Sequence, residues 1–389
     1  MTATLSSPDA ASGIVSLAQA LVRHPSEQSD QMEADPAVVS LISDVIAPWL
    51  SARGIGFERD GMGNLIAGIG DTETGPHLMF VCYAMTHPAG RMTGPFDGEL
   101  IDIDGESCLR GRGVSEQKGA MASALSAFAY LYADGGPRAG RVSLAVVTAG
   151  ETGRHDAVAS VVDHLGGHPD HAVIVLGTGG AVAIGNRGRI DVDVEIAGRA
   201  AHSSTPERGI DAIRGARAAM DRLDALADSW PQDTGTMGRR TLTVTAIESS
   251  PGATHTIQDR VRMTIDRRLL PDDDPDTALA EIRTALDGMA PWAVDVTLGP
   301  VMYPAREPAD SALVRAIAAS ATDIGLEPPS TAFSQAALDA GYFQKAGAGA
   351  VMWGPGDMNQ FHSEEEHVAL SALVEGARRY RALIDALCL

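Results

Sequence analysis

Aromatic residues make up only 4% of this 389-residue sequence, so its core has to be assembled mostly from Ala, Val, Leu and Ile. Cysteine is scarce too. Cys82, Cys108 and Cys388 lie far apart and are odd in number, which argues against a disulfide framework and for a reducing compartment. No stretch approaches the roughly 20 apolar residues of a membrane-spanning helix. Met1 to Asp9 carry neither the basic patch nor the apolar run of a signal peptide. Positive charge is in deficit: 30 Lys and Arg face 51 Asp and Glu, for a formal charge of -21. Such a surface repels nucleic acid and anionic membranes. These absences lead us to expect a soluble cytoplasmic protein whose partner is a small molecule.

With 44% hydrophobic and 21% charged residues, the chain is long enough to bury a full core and divide into two domains. Apolar spacing predicts amphipathic helices over 13–23 and 36–53. Short runs at 64–67 and 77–81 read as strands, and an Ala-rich helix is expected over 119–132. The continuous apolar runs 142–147 and 172–176 suit strands buried on both faces of a parallel sheet. The pattern changes near residue 186. Residues 189–196 alternate polar and apolar, then come a helix (209–226), strands (241–247, 260–266), a helix (275–289) and a strand (293–298). That order is a split βαβ unit. The Asp-rich stretch 271–276 reads as a turn before a helix. After residue 300 the α/β character returns, with helices over 311–324, 336–346 and 369–386 and a strand over 349–353. The expected architecture is an α/β domain (1–186 and 300–389) carrying an inserted α+β domain (187–299).

Several segments occur in a telling order: Gly111-Arg112-Gly113-Val114-Ser115-Glu116-Gln117-Lys118-Gly119, Glu151-Thr152-Gly153, Ala201-His202-Ser203-Ser204, Asp266-Arg267-Arg268, Asp339, Gly354-Pro355-Gly356, and His362 with Glu366 behind it. Together they resemble the acetylornithine deacetylase, succinyl-diaminopimelate desuccinylase, aminoacylase and glutamate carboxypeptidase superfamily of di-zinc amidohydrolases and metallopeptidases. The resemblance implies a zinc-exopeptidase-like α/β catalytic domain with an inserted lid that makes a homodimer. It also implies two zinc-like ions sharing one bridging carboxylate.

Position by position, the resemblance implies losses as well. Cys82 stands where the first ligand His belongs, and Ala84 replaces the Asp that would orient it. The bridging Asp becomes Glu116. The general base of a Glu-Glu pair reads Gly150, while the ligand of that pair remains as Glu151. The acidic ligand after the next strand reads Thr178, and the last ligand persists as His362. One ion site is thus degraded, whereas Glu116, Glu151 and His362 form a three-ligand set of the kind catalytic zinc uses. The expectation is one divalent cation (zinc, manganese or cobalt) per chain, or none. On the substrate side, His202 matches a lid His that stabilises an oxyanion, Arg268 matches an Arg that binds a carboxylate, and His255 replaces a lid Asn. Gly354 and Gly356 complete the expected substrate contacts.

Each candidate also has a plainer reading. Cys82 is a nucleophile or soft ligand, or a small buried residue at a strand end. His87, His155 and His255 are candidate replacement bases; more plainly, His87 is a polar loop residue and His155 a helix-start surface residue. Glu116 and Glu151 hold metal, or pair with Lys118 or Arg112. Glu364-Glu365-Glu366 reads as a solvated helix start. The function expected is action on a C–N bond of a small amino-acid-like or carboxylate-bearing substrate. The alternatives are metal-independent lyase, isomerase or cyclase chemistry on the same scaffold, and a non-catalytic binding paralogue.

Overall fold

A computed structural model describes Leu5, residues 7–231 and residues 235–388. The chain forms two compact units: Met1–Gly185 with Arg306–Ala332 and Tyr342–Leu389, and Asn186–Ala305 with Phe333–Gly341.

In the first unit the continuous apolar runs become the centre of a sheet. His77–Tyr83 is buried at all of its positions, and Arg141–Val147 at all but the first. The strand order is Glu58–Arg59, Leu65–Gly70, Arg141–Val147, His77–Tyr83, His171–Val175, Gly349–Trp353. The last four run parallel. Burial on both faces is what lets a parallel strand be apolar throughout. The helix Gly119–Ala133 lies against the sheet and against the helix Leu370–Leu387. Its Ala and Ser side chains are small enough to be buried almost all round. The rare aromatics gather here. Tyr380 meets Phe80 and Trp353 edge-on, each at 5.3 Å between ring centroids, and donates its hydroxyl to the Trp353 carbonyl at 2.6 Å.

The helix expected over 36–53 runs from Pro36 to Ser51, with its middle, Leu41–Ile46, wound more widely as a π segment. Pro48 lacks an N–H and crowds the preceding turn, and the widened segment lies directly before it. The helix expected over 336–346 is shorter, Ala340–Lys345, and follows a strand, Thr331–Ala337, that was not expected. A hairpin, Glu99–Ile103 with Glu106–Arg110, was not anticipated.

The second unit, from Asn186 onward, contains antiparallel strands in the order Ala293–Met302, Val182–Ala197, Arg260–Leu269, Thr241–Ser250. The alternation read from the sequence puts Ile190, Val192, Val194 and Ile196 on one face, with Val261, Met263 and Ile265 beside them. The helices Ala212–Ser229 and Pro275–Ala285 cover that face. Asp274 caps the second helix, accepting from the Thr277 N–H at 2.9 Å. No helix among the described residues is long and apolar enough to cross a membrane.

Candidate metal centre

Ligands of open α/β sheets gather outside the carboxyl ends of the strands, and here four adjacent parallel strands deliver their loops to that edge. Tyr83 leads into Ala84–His87, Val147 into Gly150–Glu151, Val175 into Thr178, and Trp353 into the loop carrying His362. Glu116 comes from the turn Val114–Lys118 that precedes the buried helix.

Three of these side chains converge. His362 Nε2 lies 3.3 Å from Glu116 Oε2 and 3.6 Å from Glu151 Oε1. The three donor atoms are all within 4.8 Å of one another. Glu116 is buried, and its Oε2 accepts no well-aligned hydrogen bond. Burial pushes its carboxyl up to about 7; the imidazolium of His362 opposes that rise and the charge of Glu151 adds to it. His362 is driven the same way, up to about 10, by its bonds to Glu116 and then to Glu151. His362 also holds a left-handed backbone, φ 62°, a conformation uncommon outside glycine.

The turn bearing Glu116 is fixed by a buried carboxylate. Glu366 Oε2 accepts from Arg112 Nη1 at 3.0 Å and Gly113 N at 2.9 Å. Its Oε1 accepts from Ser115 N at 3.0 Å and Glu116 N at 3.2 Å. Glu366 is 0% exposed, which corrects the reading of residues 364–366 as a solvated helix start. Arg112 is thereby committed to Glu366, and Lys118 donates to the His24 carbonyl at 2.8 Å. The plainer reading, in which these cations pair with Glu116 and Glu151, is therefore set aside. The sequence reading also passed over Gln117, whose Nε2 donates to Met85 O at 2.8 Å and to Glu151 Oε1 at 3.4 Å.

The positions implied for a second ion hold no such set. Cys82 is fully buried in its strand, and burial drives its thiol far above the ordinary range. That burial favours its plainer reading as a small buried residue of the strand. Thr178 is occupied locally: its Oγ1 lies 2.6 Å from Ala181 O and 3.2 Å from Gly354 O. At Gly150 a Cβ would stand 2.3 Å from the Met85 carbonyl oxygen, so this backbone admits no side chain there. The donor set of two carboxylates and one imidazole fits one divalent cation.

His87 stacks on His362, with ring centroids 3.9 Å apart and planes 17° apart. Its Nδ1 is 2.9 Å from the Pro88 carbonyl, which can only accept. The neutral ring therefore carries its proton on Nδ1 and leaves a lone pair on Nε2. His155 is elsewhere, buried at the start of the helix Asp156–Leu165 with its ring 5.4 Å from Tyr342. It stands at the helix start as expected, but its burial corrects the reading of it as a surface residue.

His202, His255 and Arg268 belong to the second unit. His202 is exposed, on a short strand paired with Thr256–Ile257. Its Nδ1 accepts from the Ser204 N–H at 3.1 Å, so the neutral ring presents Nε2–H as a donor. The His255 ring lies 5.8 Å away. Arg268 donates Nε to Asp266 Oδ1 at 2.8 Å. Gly354 and Gly356, expected to touch substrate, are closely packed in the first unit. Gly356 has φ 104°, and a Cβ there would stand 2.0 Å from Ser115 O. Both glycines line a cavity of about 450 Å³ that none of the three clustered side chains borders.

Comparison with known proteins agrees with this layout. The family model for peptidase family M20/M25/M40 matches residues 86–386. A succinyl-diaminopimelate desuccinylase of Methylorubrum extorquens is 30% identical over 320 residues, covering 76% of this chain and 77% of that protein. A protein of Aeropyrum pernix, provisionally named a LysW-lysine/LysW-ornithine hydrolase, is 26% identical over 346 residues, covering 88% and 89%. An M20 family metallo-carboxypeptidase from Sulfolobus solfataricus superposes with a TM-score of 0.75 at 15% identity, over 96% of this chain and 99% of that one. The order of motifs, the donors at the strand ends and the extent of the family match lead to one conclusion: the chain belongs to peptidase family M20/M25/M40.

Proposed function

We propose that this chain is an amide hydrolase that works with a single divalent cation held by Glu116, Glu151 and His362. The observation that carries the reading is the cluster itself, three suitable donors within 4.8 Å at the carboxyl edge of the sheet. When bound, such an ion supplies Lewis-acid polarisation of the scissile carbonyl.

The protein's own groups supply the rest. His87 is the best placed of the candidate bases, because it stacks on His362 and offers a lone pair on Nε2. It takes the proton of the attacking water and returns it to the leaving nitrogen. His202 presents Nε2–H as a donor suited to a developing oxyanion. Arg268 is the group for a substrate carboxylate. The names of the relatives favour an N-acylated amino acid or diamino acid as substrate. We further propose a homodimer through the inserted unit. The strand Thr241–Ser250 ends its sheet order, and Ile247 on it is 53% exposed.

The test is metal content by mass spectrometry, together with hydrolysis of N-succinyl-diaminopimelate and a panel of N-acetyl and N-succinyl amino acids. About one ion per chain, lost in Glu151→Ala and His362→Ala along with turnover, supports the proposal. The closed position at Gly150 favours a second reading, a protein that binds such ligands and turns none over. Ligand binding with no turnover at full ion occupancy would establish it instead.

A further inference from the structure

We infer that Gln117 is a positioning residue that sets the orientation of the Glu151 carboxylate and so the strength with which the site holds its ion; this rests on the one-ion reading above. Gln117 is 1% exposed, follows Glu116 in sequence, and reaches Glu151 with its side chain. Its Nε2 has two acceptors, Met85 O and Glu151 Oε1. Neither can donate, so the amide cannot be turned over without placing oxygen against oxygen. Its own Oε1 is left buried with no hydrogen-bond partner. A buried amide that leaves its oxygen unsatisfied to keep its nitrogen on two acceptors is held for what the nitrogen does.

The same bond explains the closed position next to Glu151. Gln117 holds the Met85 carbonyl, and that carbonyl fills the space a Cβ at residue 150 would need. Met85 N in turn donates to Ala149 O at 3.2 Å. Gln117 thus ties the loop after the strand His77–Tyr83 to the loop after Arg141–Val147, and aims Glu151 at His362. Groups behind a metal ligand commonly change metal affinity by about 10–100-fold when removed.

Gln28 provides the control. Its Nε2 donates at 2.9 Å to the main-chain oxygen of Glu151 and does not touch the carboxylate. Isothermal titration of the ion-free protein with manganese or zinc should show Gln117→Met, which keeps the volume and loses the donor, binding about 10–100-fold more weakly. Gln117→Asn, too short to reach both acceptors, should fall in the same range and substitutes if the methionine variant does not fold. Gln28→Met should stay within about threefold of the parent, since it leaves the carboxylate's hydrogen bond intact. Gln117 variants that bind as tightly as the parent, or a Gln28 variant equally weak, overturn the inference. A crystal structure of ion-free Gln117→Met separates this from the one-ion reading. If the parent binds no ion, that reading fails, while Glu151 turned away from His362 in the variant still upholds Gln117's role. Glu151 in its original orientation rejects it.

Discussion

Replacing Glu366 by Gln should be among the most damaging single-atom changes available in the first unit. The glutamate's two oxygens accept from four donors, Arg112 Nη1, Gly113 N, Ser115 N and Glu116 N. Glutamine keeps one oxygen and turns an NH2 group toward two of those donors. Two buried N–H groups then lose their acceptor, at roughly 1–3 kcal/mol each. Arg112 also loses its charge partner at a site where both side chains are almost wholly buried, so the total should be near 4 kcal/mol, within the range measured for broken buried ion pairs, about 3–5 kcal/mol. At about 2–4 °C per kcal/mol for a domain of this order, calorimetry should find the melting transition about 8–16 °C lower. Glu365→Gln is the control, because Glu365 is 82% exposed and 3.7 Å from Arg110; it should change stability by less than about 0.5 kcal/mol. A Glu366→Gln protein melting within about 2 °C of the parent would refute the claim that this carboxylate organises the turn of Glu116.

Ion binding should release protons. His362 is raised to about 10, so at pH 7 the ion-free ring is protonated, and a ligand nitrogen must give that proton up. Affinity should therefore increase with pH from 7 toward 9, by about tenfold per unit. Below pH 7 the rise should steepen, because Glu116, raised to about 7, must ionise as well. Titration in two buffers of different ionisation enthalpy counts the protons, and a count of zero at pH 7 rejects the ion-free charge state described here. The cysteines give a simpler prediction: all three are buried, so a thiol reagent should find no fast-reacting group in the native protein and three after denaturation. One rapid equivalent in the native state would show that one of these thiols is accessible and reactive.

Much of this layout could be read in advance, for physical reasons that also mark the limit. Strands buried on both faces must be apolar throughout, so 142–147 and 172–176 were visible, as was the alternation at 189–196. The donors Glu116, Glu151 and His362 were found because their types and order were diagnostic. The hairpin Glu99–Arg110 was missed because one of its strands is largely exposed and shows little apolar pattern. The helix expected over 336–346 starts later, at Ala340, because Ala336 and Ala337 end a strand whose sheet pairing no local composition reveals. Glu366 was misjudged for a related reason. Its neighbours Glu364 and Glu365 are exposed, and only a partner some 250 residues away in sequence shows that it is buried. The stack of His87 on His362 lies beyond any local pattern as well.

That long separation has a consequence for assembly. The turn carrying Glu116 depends on an acceptor 250–254 residues further along, with the whole second unit in between. Closing a loop of that length costs roughly 5 kcal/mol of chain entropy before any contact repays it. The acceptor that fixes the turn, like His362 among the three clustered donors, lies on the far side of the insertion, so the ion site is complete only when segments from both sides of it have met.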